Sequence, residues 1–224
     1  MPVHVAFTPD EAAPAAVGVV VDVLRATSTI AQALAAGYER VLCCAEIDEA
    51  KALRAELPDS LLGGERQAVR VEGFDVGASP REFLEARART LILSTTNGTR
   101  AILETARRCE RVLLGSLLNL SAVAAAADGE DVVVVCAGFQ GGFALDDAYC
   151  AGRIVQRLRG ERTHAATASA LLAQAFATGL DGLNARTYGP PGLEGDIAFC
   201  AQEDLLDVVP RLTGGVGAAA RIEL

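Results

Sequence analysis

Short apolar runs rich in valine and leucine recur along the chain, each emptying into a polar turn that feeds a stretch of helical period. Val17 to Val21 has no polar position, the pattern of a strand buried on both faces. Ile30 to Ala36, closed by Gly37, has helical spacing. Thr90-Leu91-Ile92-Leu93 is a second short strand and Ala101 to Cys109 a second helix, with the polar turn Ser94 to Arg100 between them. Further along, the pattern predicts helices from Asp48 to about Glu56, from Asp146-Asp147 to about Arg159, and over roughly Ala166 to Thr178. Strands are predicted at Leu61-Leu62 and Val132 to Cys136. Ser79-Pro80-Arg81-Glu82 reads as a capping box with proline at the first helical position. Gly63 to Arg66 reads as a loop, Gly73 to Gly77 as a loop or edge strand, and Gly182 to Gly195 as turn-rich. Gly214-Gly215 is expected to begin a loose tail.

The first strand-to-helix junction, Asp22-Val23-Leu24-Arg25-Ala26-Thr27-Ser28-Thr29, places a carboxylate, a guanidinium and three hydroxyls where a helix begins. Helix N-termini leave N–H groups unpaired and carry partial positive charge, so such a turn accepts an anion. A carboxylate beside an anion site makes sense if a divalent cation sits between them, or if the carboxylate attacks the anion. Both options point to phosphate chemistry.

After each of the two helices comes Glu-Arg-Val-Leu, at Glu39 to Leu42 and again at Glu110 to Leu113, which sets an offset of 71 residues between positions 39 and 110. With strand, polar turn and helix aligned upstream, the offset predicts an internal duplication. The expected architecture is layered α/β/α with mostly parallel strands, built from two similar intertwined units. The repeat-like halves span about 15–85 and 86–160, the C-terminal segment 161–224, and the whole is expected to form one compact body over 1–224. Asp22 to Thr29 and Thr95 to Thr99 should then face one cleft.

Composition narrows the class of function. The chain is 51% apolar but only 4% aromatic, which suits parallel strands covered by small-residue helices. A net charge of −9 without a basic stripe argues against nucleic acid or an anionic membrane as partner. The six cysteines form no C-x-x-C pair and sit mostly in apolar runs, as free thiols in a reducing compartment do. The N-terminus lacks a basic n-region and no apolar stretch approaches a membrane span, so a cytoplasmic protein is expected.

Three known phosphatase signatures are absent. Asp22 is not followed by a second aspartate two positions on, no cysteine has an arginine six positions later, and there is no Arg-His-Gly. Neither a P-loop nor a G-x-G-x-x-G turn is present. Carboxylate chemistry remains. Asp22, Glu65, Asp75, Asp147 and Asp196 stand at the ends of apolar segments or in glycine-bearing loops, and hard oxygen ligands with arginine nearby suit Mg²⁺ on a phosphate. Plainer roles stay open: helix N-caps for Asp147 and Asp196, a turn for Asp75, a solvated position for Glu65, surface ion pairs for Arg25 and Arg66. The threonines near 27 and 96 could be caps only.

Seven motifs in order then carry a resemblance: Asp22-Val-Leu-Arg-Ala-Thr-Ser-Thr, Gly64-Glu-Arg, Gly73-Phe-Asp-Val-Gly, Ser79-Pro80, Thr95-Thr-Asn-Gly-Thr, Cys136-Ala-Gly and Asp196-Ile-x-x-Cys. Together they resemble the 2-phosphosulfolactate phosphatase family over roughly residues 3 to 210. The resemblance implies an α/β protein that hydrolyses a phosphate monoester with Mg²⁺, converting 2-phosphosulfolactate to sulfolactate on the route to coenzyme M. Two departures stand out. The family usually has asparagine before Ser-Pro, where this chain has Ala78, and often Glu-Asp where this chain has Asp146-Asp147.

The expected activity is therefore Mg²⁺-dependent hydrolysis of a small anionic phosphoester. Asp22, Arg25, Glu65 and Arg66 are the expected catalytic set. Metal ligands are sought among Asp22, Glu65, Asp75, Asp147 and Asp196. Thr27, Ser28, Thr95, Thr96, Asn97, Gly98, Thr99 and Gly138 are the expected phosphate cradle. A non-catalytic anion-binding protein on the same scaffold, a lyase or transferase using the same carboxylates, and a different small phosphoester substrate stay open, as does a homodimer.

Overall fold

The structure, a computed structural model, describes residues 1–186 and 192–224. Strands β1 (Pro2–Ala6) and β2 (Ala15–Val21) lead to helix α1 (Ala26–Ala35), β3 (Arg40–Cys44), α2 (Ile47–Glu56) and the hairpin β4 (Leu61–Arg66) and β5 (Val69–Arg70). Then come β6 (Thr90–Ser94), α3 (Gly98–Ala106), β7 (Cys109–Gly115), α4 (Leu120–Ala127), β8 (Val132–Cys136) and α5 (Leu145–Val155). The remaining elements are β9 (Glu161–Arg162), α6 (His164–Gln174), α7 (Gly179–Asn184), α8 (Glu194–Cys200) and the hairpin β10 (Arg211–Val216) and β11 (Ala219–Glu223).

The strands form one sheet in the order β5-β4-β6-β3-β11-β10-β7-β2-β8-β1-β9. Neighbours are parallel within β4-β6-β3 and within β7-β2-β8-β1. The β10–β11 hairpin joins these two sets through antiparallel pairings. β2 thus lies between β7 and β8, and β6 between β3 and β4, so each set takes its central strand from the other half of the chain. The order β2-α1-β3-α2-β4 recurs as β6-α3-β7-α4-β8. That recurrence does not by itself establish a duplication.

Successive strand residues face opposite sides, and both sides are covered. One core joins the two strand sets: Val20, Leu114 and Val135 share it with Val41, Leu91 and Leu93, with Ile30 and Leu34 of α1 and Ile102 of α3. The other face of β2 and β8 packs Val19, Val21 and Val134 with Val123 of α4, Ile154 of α5 and Ala170 of α6. Leu42, Leu62 and Ile92 pack on Ala50 and Leu53 of α2. These are the α/β/α layers expected from the valine runs. Gly18 explains how closely α3 lies on β2: a Cβ there would stand 2.3 Å from Thr105 Cγ2.

Three local expectations need correction. Gly214-Gly215 does not begin a loose tail but lies inside β10. Its glycines are exposed, yet Ala219, Ala220 and Ile222 of the paired strand are buried, and that strand docks on β3. Helix α1 starts about one turn earlier than its apolar spacing suggests, so Thr27, Ser28 and Thr29 are helical rather than in the preceding turn. Gly63 to Arg66 continues strand β4 instead of forming a loop. The capping box at Ser79 is present as expected and opens a 3-10 turn, Pro80–Phe83. Of the stretch Gly182 to Gly195 expected to be turn-rich, residues 187–191, with Pro190 and Pro191, lie outside the described residues, and its ends are helical, in α7 and α8. All six cysteines are free and buried. No helix among the described residues is long and apolar enough to cross a membrane.

Candidate active site

The ends of β2 and β6 meet although the two strands belong to different sets. Gly98, the first residue of α3, makes the approach possible: a Cβ there would stand 2.4 Å from Ala26 Cβ and 2.7 Å from Asp22 Oδ2. At this meeting point a cavity of about 480 Å³ opens. Its wall carries three carboxylates (Asp22, Glu65, Asp146), two guanidinium groups (Arg25, Arg186) and Thr95, Thr96 and Asn97. Leu24, Val69, Phe139 and Leu193 supply an apolar part. Asp22 and Asn97 thus line the same cavity.

Asp22 directly follows β2 and is only 8% exposed. Its Oδ1 accepts the Ala26 N–H at 3.3 Å. Burial pushes its carboxyl up to about 7, with the charges of Glu65 and Asp146 adding to the rise; the Ala26 N–H and Arg25 oppose it. Glu65, near the end of β4, ties that strand to the β6–α3 turn. Its Oε1 accepts the Thr96 N–H at 2.8 Å and the Thr96 hydroxyl at 2.9 Å, and its Oε2 accepts the Ala68 N–H at 2.6 Å. Asp146 lies in the first turn of α5.

Several expected site residues serve the scaffold instead. Thr27 Oγ1 accepts the Asp22 N–H at 3.1 Å and donates to Asp22 O at 2.9 Å, while Ser28 Oγ donates to Val23 O at 2.8 Å. Both hydroxyls turn back to close the junction and do not line the cavity. Arg66 is outside the lining too. It donates to the carbonyls of Glu65, Ser94 and Ala45 and to the Ser94 hydroxyl, which leaves it a stitch between β4 and β6. Thr99 is buried, its N–H 3.4 Å from Thr95 Oγ1 in a capping contact.

Among the expected metal ligands, Asp75, Asp147 and Asp196 do not reach the wall. Asp75 is exposed; its Oδ2 accepts the Leu62 N–H at 2.9 Å and lies 4.0 Å from Arg54. Asp147 accepts the Val23 N–H at 2.9 Å and the Gly138 N–H at 3.0 Å. It knots the turns after β2 and β8, so Gly138 contributes its N–H to this knot rather than to the cavity. Burial, with Asp146 and Asp22 close by, holds the Asp147 carboxyl well above the ordinary range. Asp196 pairs with Arg25 at 2.7 Å.

Asp146 and Arg186 are the charged wall residues that residue patterns missed. Consecutive helical residues point about 100° apart, so only one of Asp146 and Asp147 can face the cavity, and no one-dimensional signal says which. Arg186 follows α7 with no motif around it. No group of three His, Cys, Asp or Glu side chains among the described residues is arranged to hold a metal on its own.

Comparison with known proteins places this wall in a family. The profile described as 2-phosphosulpholactate phosphatase matches residues 4–215. A protein of Pseudothermotoga lettingae named "Probable 2-phosphosulfolactate phosphatase" is 40% identical over 215 residues, covering 93% of this chain and 94% of its own. Its counterpart of the same name in Thermotoga maritima is 38% identical over 223 residues, covering 96% of both chains. A third so named, from Caldanaerobacter subterraneus subsp. tengcongensis, is 38% identical over 213 residues and covers 88% of each. With a match that runs from β1 into β10 and takes in the carboxylate-lined cavity, the chain belongs to the 2-phosphosulpholactate phosphatase family, a family of phosphoric monoester hydrolases.

Proposed function

We propose that the chain is a Mg²⁺-dependent phosphatase acting on a small anionic phosphate monoester, with 2-phosphosulfolactate as its substrate, split to sulfolactate and phosphate. The observation that carries this reading is the wall of three carboxylates and two guanidinium groups around one small cavity. Arg25 and Arg186 supply charge for the phosphate and for further acidic groups on the same substrate. Thr95 to Asn97 lead into the α3 N-terminus, where the partial positive charge of the helix favours an anion.

The carboxylates fit a hard divalent cation. They are oxygen donors, and like charge from Glu65 and Asp146 already helps to hold the Asp22 carboxyl near 7. Mg²⁺ commonly takes only one or two carboxylates and completes its shell with water and substrate phosphate, so a three-ligand protein cage is not required. Asp22 and Asp146, with Glu65 beside them, would hold it; bound there it would offset phosphate charge and acidify water. In hydrolysis a water oxygen bonds to phosphorus as the ester P–O bond breaks, and the departing oxygen leaves as a hydroxyl, taking up the proton that the water gives to Asp22. Asp22, with Oδ2 turned toward the α3 N-terminus, is placed to take the water proton. Arg25 and the α3 N-terminus hold the phosphoryl oxygens against the charge that builds up.

The test is phosphate release from 2-phosphosulfolactate and from generic phosphomonoesters, with Mg²⁺ and with EDTA. Release that needs Mg²⁺ and favours the sulfonated substrate is expected. Full activity in EDTA removes the metal from the mechanism, and release from none of the esters removes the phosphatase reading.

A further inference from the structure

Arg25 presents a guanidinium to the cavity from a frame built by three separate segments. Its Nη1 donates to Asp196 Oδ2 at 2.7 Å and its Nη2 to Ala68 O at 3.1 Å. Asp196 is in the first turn of α8, and Ala68 is in the turn between β4 and β5. Asp196 is held in turn by the third segment: Ser79 Oγ donates to its Oδ1 at 2.5 Å, and Arg81 Nη1 lies 3.8 Å from the same oxygen. The Arg25 and Asp196 side chains are 8% and 7% exposed, so the pair is nearly dry, where a charge-assisted bond is strong and a loose charge costly. A guanidinium has five N–H donors, and the two bonds to described residues leave three for a ligand. Asp196 does not line the cavity and meets it through Arg25.

We propose that Asp196 is a positioning residue: backed by Ser79, it fixes Arg25 so that the remaining N–H donors face an anionic oxygen of the substrate. This rests on the phosphate-binding role of Arg25 in the function proposed above. A long side chain already held in one geometry loses less freedom when the anion arrives. The carboxylate also offsets part of the Arg25 charge, which weakens the pull on an anion. Asp196→Asn would therefore mix two opposite effects. Asp196→Glu keeps the charge and moves it by one methylene, and so isolates the geometric effect.

The experiment measures the Kd for inorganic phosphate by calorimetry on the full chain. The proteins are the unaltered chain, Asp196→Glu, Ser79→Ala, Arg25→Ala, and Asp196→Glu and Ser79→Ala each combined with Arg25→Ala. Circular dichroism checks that each is folded, and Ser79→Ala keeps the test open where Asp196→Glu does not fold. Asp196→Glu is expected to weaken binding about tenfold and Ser79→Ala about threefold, each falling below about twofold in the Arg25→Ala background. Binding unchanged in both single variants, effects undiminished without Arg25, or no phosphate binding by the unaltered chain would each overturn the proposal. Ester turnover measured alongside separates the two readings. A coupled binding cycle without turnover of any ester overturns the phosphatase alone, and turnover with an additive cycle overturns the role of Asp196 alone.

Discussion

Replacing Asp22 by asparagine should cost the chain its activity and make it more stable. The substitution keeps the side-chain shape, and an asparagine oxygen can still accept the Ala26 N–H that Oδ1 accepts at 3.3 Å. What it removes is a charge that is 8% exposed and faces Glu65 and Asp146. In the unfolded chain this carboxyl titrates near 3.8; in the fold, burial and those two neighbours push it up to about 7. Between these values the folded state keeps a proton that the unfolded chain has released, so stability falls as pH rises from about 4 to about 7. At about 1.36 kcal/mol per pH decade the loss has a ceiling on the order of 4 kcal/mol. A gain on the order of 4 kcal/mol corresponds to a rise in Tm of about 8–16 °C for a chain of this size. The assay is thermal melting in EDTA from pH 4 to pH 8, with kcat measured in Mg²⁺. We expect kcat to fall at least about 100-fold. The Tm difference should be close to zero at pH 4, open up to pH 7 and stay level above it. An asparagine variant that melts below the unaltered chain at pH 8, or a difference that persists at pH 4, refutes the electrostatic account of the site.

Asp146 and Asp147 should separate by function although they are adjacent. Asp146→Asn should lower kcat about 100-fold without lowering Tm, because it loses a cavity-wall charge that faces the Asp22 and Asp147 carboxylates. Asp147→Asn should lower Tm by several degrees, since one of the N–H groups of Val23 and Gly138 then faces an amide NH₂; equal melting curves for the two variants would refute this. Gly98→Ala should reduce both stability and kcat, because the new Cβ would stand 2.4 Å from Ala26 Cβ and 2.7 Å from Asp22 Oδ2; unaltered kinetics would show that α3 can retreat without harm. Arg66→Ala should cost about 2 kcal/mol of stability by chemical denaturation while KM stays within about twofold, and a large rise in KM would return Arg66 to the substrate site.

Much of the layered fold was legible because buried parallel strands leave a plain mark. Val17 to Val21 and Val132 to Cys136 have no polar position, and both became central neighbours covered on each face. The turns after Val21 and after Leu93 were legible as site-bearing because polar residues crowd where a strand gives way to a helix. The roles of individual hydroxyls were not legible. Thr27 and Ser28 have the residue types of an anion cradle and of a helix start alike, and only the earlier start of α1 turns their oxygens back on Asp22 O and Val23 O. The hairpin of β10 and β11 was misread because two adjacent exposed glycines sit inside its first strand, while the burial that holds it belongs to Ala220 and Ile222 across the turn.

From the sequence alone came most of the strands and helices, Asp22 as the residue at the junction, and carboxylates and arginines as the candidate site residues. Each of these depends on neighbours within a turn or two, which the linear order preserves. The sheet order was decided only in three dimensions, where β2 sits between β7 and β8 and β6 between β3 and β4. So was the cavity wall, which takes Asp146 and leaves Asp147, and takes Arg25 and leaves Arg66. These choices turn on the direction of a side chain about a helix or strand axis and on contacts between segments far apart in the chain. Arg25 and Asp196 are 171 residues apart yet meet at 2.7 Å, and a pairing of that kind exists only once the chain has packed.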